Sequence, residues 1–259
     1  MIIGFDIGNT NIVGAVYNKT GDILCKFRIA TEKKFTEHNY FSTIKPILDI
    51  NNIDFSLIKN VIMSSVVTEL DNVFELMCKI YFKTEIIKIT PLMGSLPLKY
   101  SMPNAELIGA DRVVNMVESL VKYKYNEIIT IDMGTATTFE VLINSTYIGG
   151  AIMPGITSMF EALSLKTSKL PYVKLHKPNK AAGITTKEQI NSGIFWGYVG
   201  QIKEIIKQLK SSAPNAYVIA TGGLASIVSE EIEEINFTDK DMTLNGLFTI
   251  FNIYTNNKK

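Results

Sequence analysis

The chain has 259 residues, 46% apolar and 20% charged, with 26 basic side chains against 25 acidic ones. This is ordinary globular composition for one large domain or two of about 130 residues each, and a net charge of +1 argues against a broad nucleic-acid surface. Two cysteines, Cys25 and Cys78, and two histidines, His38 and His176, supply neither a disulfide framework nor a Cys/His zinc centre, and no apolar run reaches the ~18 residues of a bilayer span.

The opening apolar run meets Asp6 almost at once and lacks a basic leader. It reads as a strand and not as a signal peptide, so a cytoplasmic protein is expected. Met1–Phe5, Asn11–Tyr17 and Asp22–Ile29 form three short strands joined by tight turns, an antiparallel meander. A helix follows over Phe41–Ile50, then a buried strand over Val61–Val66. Leu70, Val73, Phe74, Met77 and Ile80 make a helical stripe in Thr68–Phe82, capped by Thr68 or the serines before it. Glu85–Ile89 is another short strand. Asp111–Tyr123 is helical, Glu127–Ile131 is a strand ending in Asp132, and Thr137–Ile143 and Tyr147–Ile152 are two more strands. Pro154-Gly155 opens a helix through Leu163, and Thr186–Leu209 is a long helix carrying Gly193, Gly197 and Gly200. A strand over Ala216–Ala220 runs into Thr221-Gly222-Gly223, a helix begins near Leu224, and Leu244–Tyr254 is the last helix. The segment after Thr31, with Lys33, Lys34 and His38, reads as solvated surface.

Two segments match. Asp6-Ile-Gly-Asn-Thr-Asn ends one strand and starts the next, and Asp132-Met-Gly-Thr-Ala-Thr does the same 126 residues later. Self-similarity at that spacing predicts a duplicated domain. In such a turn Gly8 lets the backbone approach a ligand, successive N–H groups can form an anion nest, and Thr10 and Asn11 add donors. A carboxylate at the strand end can hold Mg²⁺ through water beside phosphate oxygens. A single turn of this kind is an ordinary hairpin; two near copies plus a late Thr-Gly-Gly turn point to a polyphosphate.

These turns resemble those of the acetate kinase, sugar kinase, heat-shock chaperone and actin superfamily. Within it the chain resembles the type III pantothenate kinases, through Asp6–Asn11, Gly109-Ala110-Asp111-Arg112, Ile131–Thr138, Gly149–Gly155 and Thr221–Gly223. The resemblance implies an α/β fold of two duplicated actin-like (ribonuclease H-like) lobes, 1–108 and 109–259. Each lobe would hold a mixed five-stranded sheet flanked by helices, with ATP in the cleft between. It implies a homodimeric enzyme that phosphorylates pantothenate with ATP at the first step of coenzyme A synthesis, with no nucleic-acid or membrane partner. The alternative is a nucleotide-binding regulatory protein of the same fold without kinase activity.

By the same resemblance Asp111 is the catalytic base, and Gly109, Ala110, Asp111, Arg112 and Thr186 contact pantothenate. Asp6, Gly8, Asn9, Thr10, Asn11 and Thr135 contact ATP. Asp6 also acts indirectly on Mg²⁺ or another divalent cation, and Asp132 holds a monovalent cation, K⁺ or NH₄⁺. Each has a plainer reading: Asp111 and Thr186 as helix N-caps, Arg112 as an ion-pair partner, and the glycine-bearing helix as packed inside its own lobe. The family's substrate-pocket Tyr falls at Met102 here, with Tyr100 displaced by two, so either could line the pocket.

Overall fold

The computed structural model describes residues 1–166, 173 and 175–257. They form two compact units, one of Met1–Pro97, Pro103–Val121 and Met242–Lys259, the other of Leu98–Met102 and Lys122–Asp241.

In the first unit, β1 (Ile2–Ile7), β2 (Asn11–Tyr17) and β3 (Ile23–Ala30) form the expected antiparallel meander. Next comes α1 (Glu37–Ile50), capped by Thr36 and Asn39 and four residues longer at its start than its apolar pattern suggests. β4 (Asn60–Ser65) then lies parallel to β1, and β5 (Ile86–Lys88) parallel to β4, giving the order β3-β2-β1-β4-β5. Between them, α2 (Thr68–Met77) carries most of the predicted stripe, but Cys78–Phe82 widens into a π turn and ends at Lys83 with φ +54°. Its N-cap is Val67, and Ser65 Oγ accepts the Val67 N–H at 3.2 Å. Ile3, Phe5, Tyr40, Leu70 and Phe74 fill the core.

The second unit repeats this topology. β7 (Glu127–Met133), β8 (Ala136–Ile143) and β9 (Thr146–Pro154) are antiparallel neighbours. β10 (Tyr217–Thr221) is parallel to β7, and β11 (Phe237–Thr238) parallel to β10. The order β11-β10-β7-β8-β9 matches the first sheet strand for strand, which is the duplication the two turns predict. A sixth strand, β6 (Lys99–Tyr100), adds itself beside β9. Two residues are too few for any periodicity, so the expected five strands are one short here. The sheet is faced by α4 (Ile156–Lys166) and α5 (Thr186–Leu209), over a core with Ile131, Phe139, Phe195 and Tyr198. A one-turn helix, α6 (Ala225–Val228), follows β10.

The units divide the chain differently from 1–108 and 109–259. α3 (Ala110–Tyr123), up to Val121, and α7 (Met242–Asn256) both belong with the first sheet. Gly246 makes this possible: a Cβ there would lie 2.6 Å from Val114 Cγ1 and 2.7 Å from the Val114 carbonyl, so α7 touches α3 backbone to backbone. Thr243 Oγ1 donates to Asn115 at 2.8 Å and Thr249 Oγ1 to Glu118 at 2.6 Å across the same contact. Tyr17 on β2 donates to the Leu244 carbonyl at 2.6 Å, tying α7 to the sheet. Among the described residues no helix is long and apolar enough to cross a membrane.

Candidate active site

Asp6 is the polar residue of an otherwise apolar strand, β1, and is partly buried. In register it lies between Val13 on β2 and Ser64 on β4. Ser64 is fully buried and its Oγ has no hydrogen-bond partner. The turn that follows is closed by the Gly8 N–H donating to the Asn11 carbonyl at 3.0 Å, leaving Asn9 and Thr10 exposed.

The second motif of this unit sits at the neighbouring strand end. Val66 donates its N–H to the Ile7 carbonyl at 3.0 Å, and its Cγ1 stands 3.4 Å from where a Gly109 Cβ would be. That same Cβ would collide with Asp111 Oδ1, so the glycine leaves room for the carboxylate. Gly109 and Asp111 are thereby brought to the ends of β1 and β4, beside the Asp6 turn. α3 begins at Ala110, so Asp111 lies within its first turn and is not the cap; its Oδ1 accepts the Arg112 N–H at 2.8 Å. Burial raises the Asp111 carboxyl above its ordinary 3.8, against the opposing pull of the Arg112 N–H and the Arg112 charge. A base must be ionised to accept a proton, so if Asp111 has the role of base that the resemblance implies, activity falls as pH drops through this raised value. The acid limb of kcat/KM is then expected above the ordinary aspartate value, and a pH–rate profile checks it.

In the second unit Asp132 lies in register between Thr138 on β8 and Thr221 on β10. The Thr138 Oγ1 is buried with no partner. Gly134 donates its N–H to the Ala136 carbonyl at 3.1 Å, and the Thr135 carbonyl accepts from Gly155 N–H at 2.9 Å and Ser158 Oγ at 2.8 Å. The Thr-Gly-Gly turn packs directly behind: Gly222 has φ +100°, and a Cβ there would be 2.7 Å from the Met133 backbone. Thr137 shares a 2.5 Å hydrogen bond with Tyr198 of α5. Burial pushes the Tyr198 hydroxyl up to about 12, with the Asp132 charge adding and the Thr137 bond opposing.

Thr186 does not join this group. It is the exposed first residue of α5, twelve positions and therefore about 18 Å of helix from Tyr198. The cap is its neighbour: Thr185 accepts the Glu188 N–H at 3.3 Å, while the Glu188 carboxylate accepts Thr185 N–H at 2.9 Å and Ile184 N–H at 2.8 Å. Thr186 is thus spared the capping role that sequence left open to it. Of the two pocket candidates, Met102 is 36% exposed. Tyr100 holds its hydroxyl buried without a partner beside Tyr147, and burial pushes that hydroxyl up to about 12. Ser64, Thr138 and Ser158 were not among the sequence candidates; register with the two aspartates is the signal that exposes the first two.

A family model described as type III pantothenate kinase matches residues 2–208. A type III pantothenate kinase of Fusobacterium nucleatum is 41% identical over 98% of this chain and 99% of its own length. The chain belongs to the type III pantothenate kinase family. A second relative of that name, from Halalkalibacterium halodurans, is 40% identical over 97% of this chain and 98% of its own. As a member of the family this chain is a kinase, a phosphotransferase with an alcohol acceptor, and a nucleotide-binding regulator without activity is not favoured. Two solved structures share its fold at low identity. One is assigned to a Baf family of transcriptional activators in Campylobacter jejuni (17% identity, TM-score 0.60, 98% of this chain and 99% of that one). The other is assigned as a 2-dehydro-3-deoxygalactonokinase in Sinorhizobium meliloti (11%, TM-score 0.58, 96% and 95%). Together with the two mixed sheets, the sugar-kinase neighbours mark the fold as actin-like.

Proposed function

We propose that Asp111 accepts the proton of the primary alcohol of pantothenate as its oxygen attacks the γ-phosphorus of ATP. The new bond forms as the bond to the β–γ bridging oxygen breaks and ADP leaves. The observation that carries this reading is the desolvated Asp111 carboxyl, set beside the Asp6 turn by Gly109 and Val66. Arg112 offers a planar fork of donors to the substrate carboxylate, and Gly109 and Ala110 line the same place. Gly8, Asn9, Thr10 and Asn11 take phosphates of ATP, as does Thr135. Tyr100, with its buried unpaired hydroxyl, suits the pocket wall better than Met102. Coupled detection of ADP tests the reading: release is expected with pantothenate and not with sugars or acetate. A sugar outpacing pantothenate would overturn it.

No three His, Cys, Asp or Glu side chains among the described residues cluster to hold a metal. A divalent cation would therefore take most of its oxygens from ATP and water, with Asp6 acting through water, which suits Mg²⁺. Its role is to neutralise charge on the phosphates during transfer. The unpaired Ser64 hydroxyl in register with Asp6 fits such a hydrated ion.

The Asp132 carboxylate and the unpaired Thr138 hydroxyl make an all-oxygen set that fits a large, weakly hydrated monovalent cation. Initial rates at fixed Mg²⁺ and ionic strength are expected to be several-fold higher with K⁺ or NH₄⁺ than with Na⁺ or a bulky organic cation. Equal rates in all four would remove the cation site.

A homodimer is supported by α5. Ile194, Phe195, Tyr198 and Val199 face its own core, while a Cβ at Gly193, Gly197 or Gly200 would meet nothing within 4 Å. That open glycine stripe would admit a second copy's helix closely. A cytoplasmic location fits a kinase that draws on the ATP pool.

A further inference from the structure

Thr31, the first residue after β3, makes two hydrogen bonds to the Asp6 turn. Its hydroxyl donates to the Gly8 carbonyl at 2.6 Å, and its N–H donates to the Thr10 carbonyl at 3.0 Å. Peptide carbonyls are the negative ends of backbone dipoles, and a phosphate approaching a turn is repelled by any that point at it. With both oxygens tied back to Thr31, neither is free to point at a phosphate that approaches the turn. The other turn is also held by residues that follow the third strand of its meander, although at a different carbonyl: Gly155 N–H and Ser158 Oγ both donate to Thr135, which corresponds to Asn9. Gly155 is the residue that follows β9 as Thr31 follows β3, and Ser158 lies three positions further on, in the first turn of α4.

We propose that Thr31 is a positioning residue for the nucleotide, its hydroxyl holding the Gly8–Thr10 turn in the form that accepts phosphate. It acts through the turn and does not touch the ligand. This rests on the reading of that turn as an ATP site. Valine has the shape of threonine, keeps the N–H bond and removes only the hydroxyl.

The test measures KM for ATP, KM for pantothenate, the dissociation constant of Mg-ATP by equilibrium titration, and Tm, on the full chain. Thr31→Val is expected to raise KM and the dissociation constant for ATP about five- to tenfold, as loss of one such hydrogen bond predicts. KM for pantothenate is expected within twofold of wild type, with Tm within a few degrees. Thr31→Ser, which restores the hydroxyl, is expected to bring ATP affinity back to within about twofold. Asp6→Asn serves as the reference for the turn itself. If Asp6→Asn weakens ATP and Thr31→Val does not, the turn reading stands and the proposal falls. A Thr31→Val protein with lowered Tm and unchanged ATP affinity also overturns it, since the contact is then only structural. If neither variant weakens ATP, the turn is not a nucleotide site and both readings fall.

Discussion

Asp111→Asn is expected to lower turnover by about 10²–10⁴-fold while ATP binding stays near wild type. Asn reproduces the shape of the side chain but cannot take a proton, and loss of a positioned base typically costs that much. The variant separates chemistry from folding because the carboxyl is raised by burial. A raised folded value means the native chain binds this proton more tightly than the unfolded chain. The associated stability is present below the ordinary 3.8 and lost as pH rises through the folded value. At neutral pH the charged group therefore burdens the fold, and Asp111→Asn is expected to keep or raise Tm. Steady-state rates and a thermal melt check both halves. More than about a third of wild-type turnover would remove Asp111 from the role of base.

Gly155→Ala is expected to damage the second turn as heavily as any single methyl can. The added Cβ would lie 2.6 Å from the Thr135 carbonyl oxygen and 2.9 Å from its carbon, and would strike the Gly134 carbonyl. All three are backbone atoms, so no side chain can swing away, and the Gly155 N–H bond to Thr135 must break as the segments part. Overpacking of this kind costs about 1–3 kcal/mol, a fall of roughly 2–10 °C in Tm for a chain of this size. Because Thr135 is read as a phosphate contact, KM for ATP is expected to rise at least about tenfold as well. Wild-type KM with only a lowered Tm would separate this turn from the nucleotide.

The duplicated turns were legible because they unite two local signals, an apolar strand ending in Asp and a glycine that no strand tolerates well. From Asp6 and Asp132 a duplicated domain follows, and the structure carries it as two matching meanders with the same strand order. The partition of the helices was not legible. The apolar stripe of Asp111–Tyr123 says that the helix is buried and not against which sheet; the answer depends on Gly246 meeting Val114, a contact between residues 132 positions apart. Two-residue strands such as Lys99–Tyr100 and Phe237–Thr238 carry no period to read. Thr31 looked like the start of a solvated loop, since neighbours such as Lys33 are indeed exposed, and only the fold shows its hydroxyl on Gly8. Ser64 and Thr138 were hidden for a related reason: each has other polar residues beside it in its strand, Ser65 and Thr137, and only register across the sheet singles it out.

The central claim is the transfer of the γ-phosphoryl group of ATP to the primary alcohol of pantothenate by this chain. It is tested most directly with γ-labelled ATP and purified protein, Mg²⁺ and K⁺ present, and the labelled products resolved. The account predicts label in phosphopantothenate, formed only when both substrates are present and lost with Asp111→Asn. Label recovered only in ATP or inorganic phosphate, or passed equally to sugars, would contradict it.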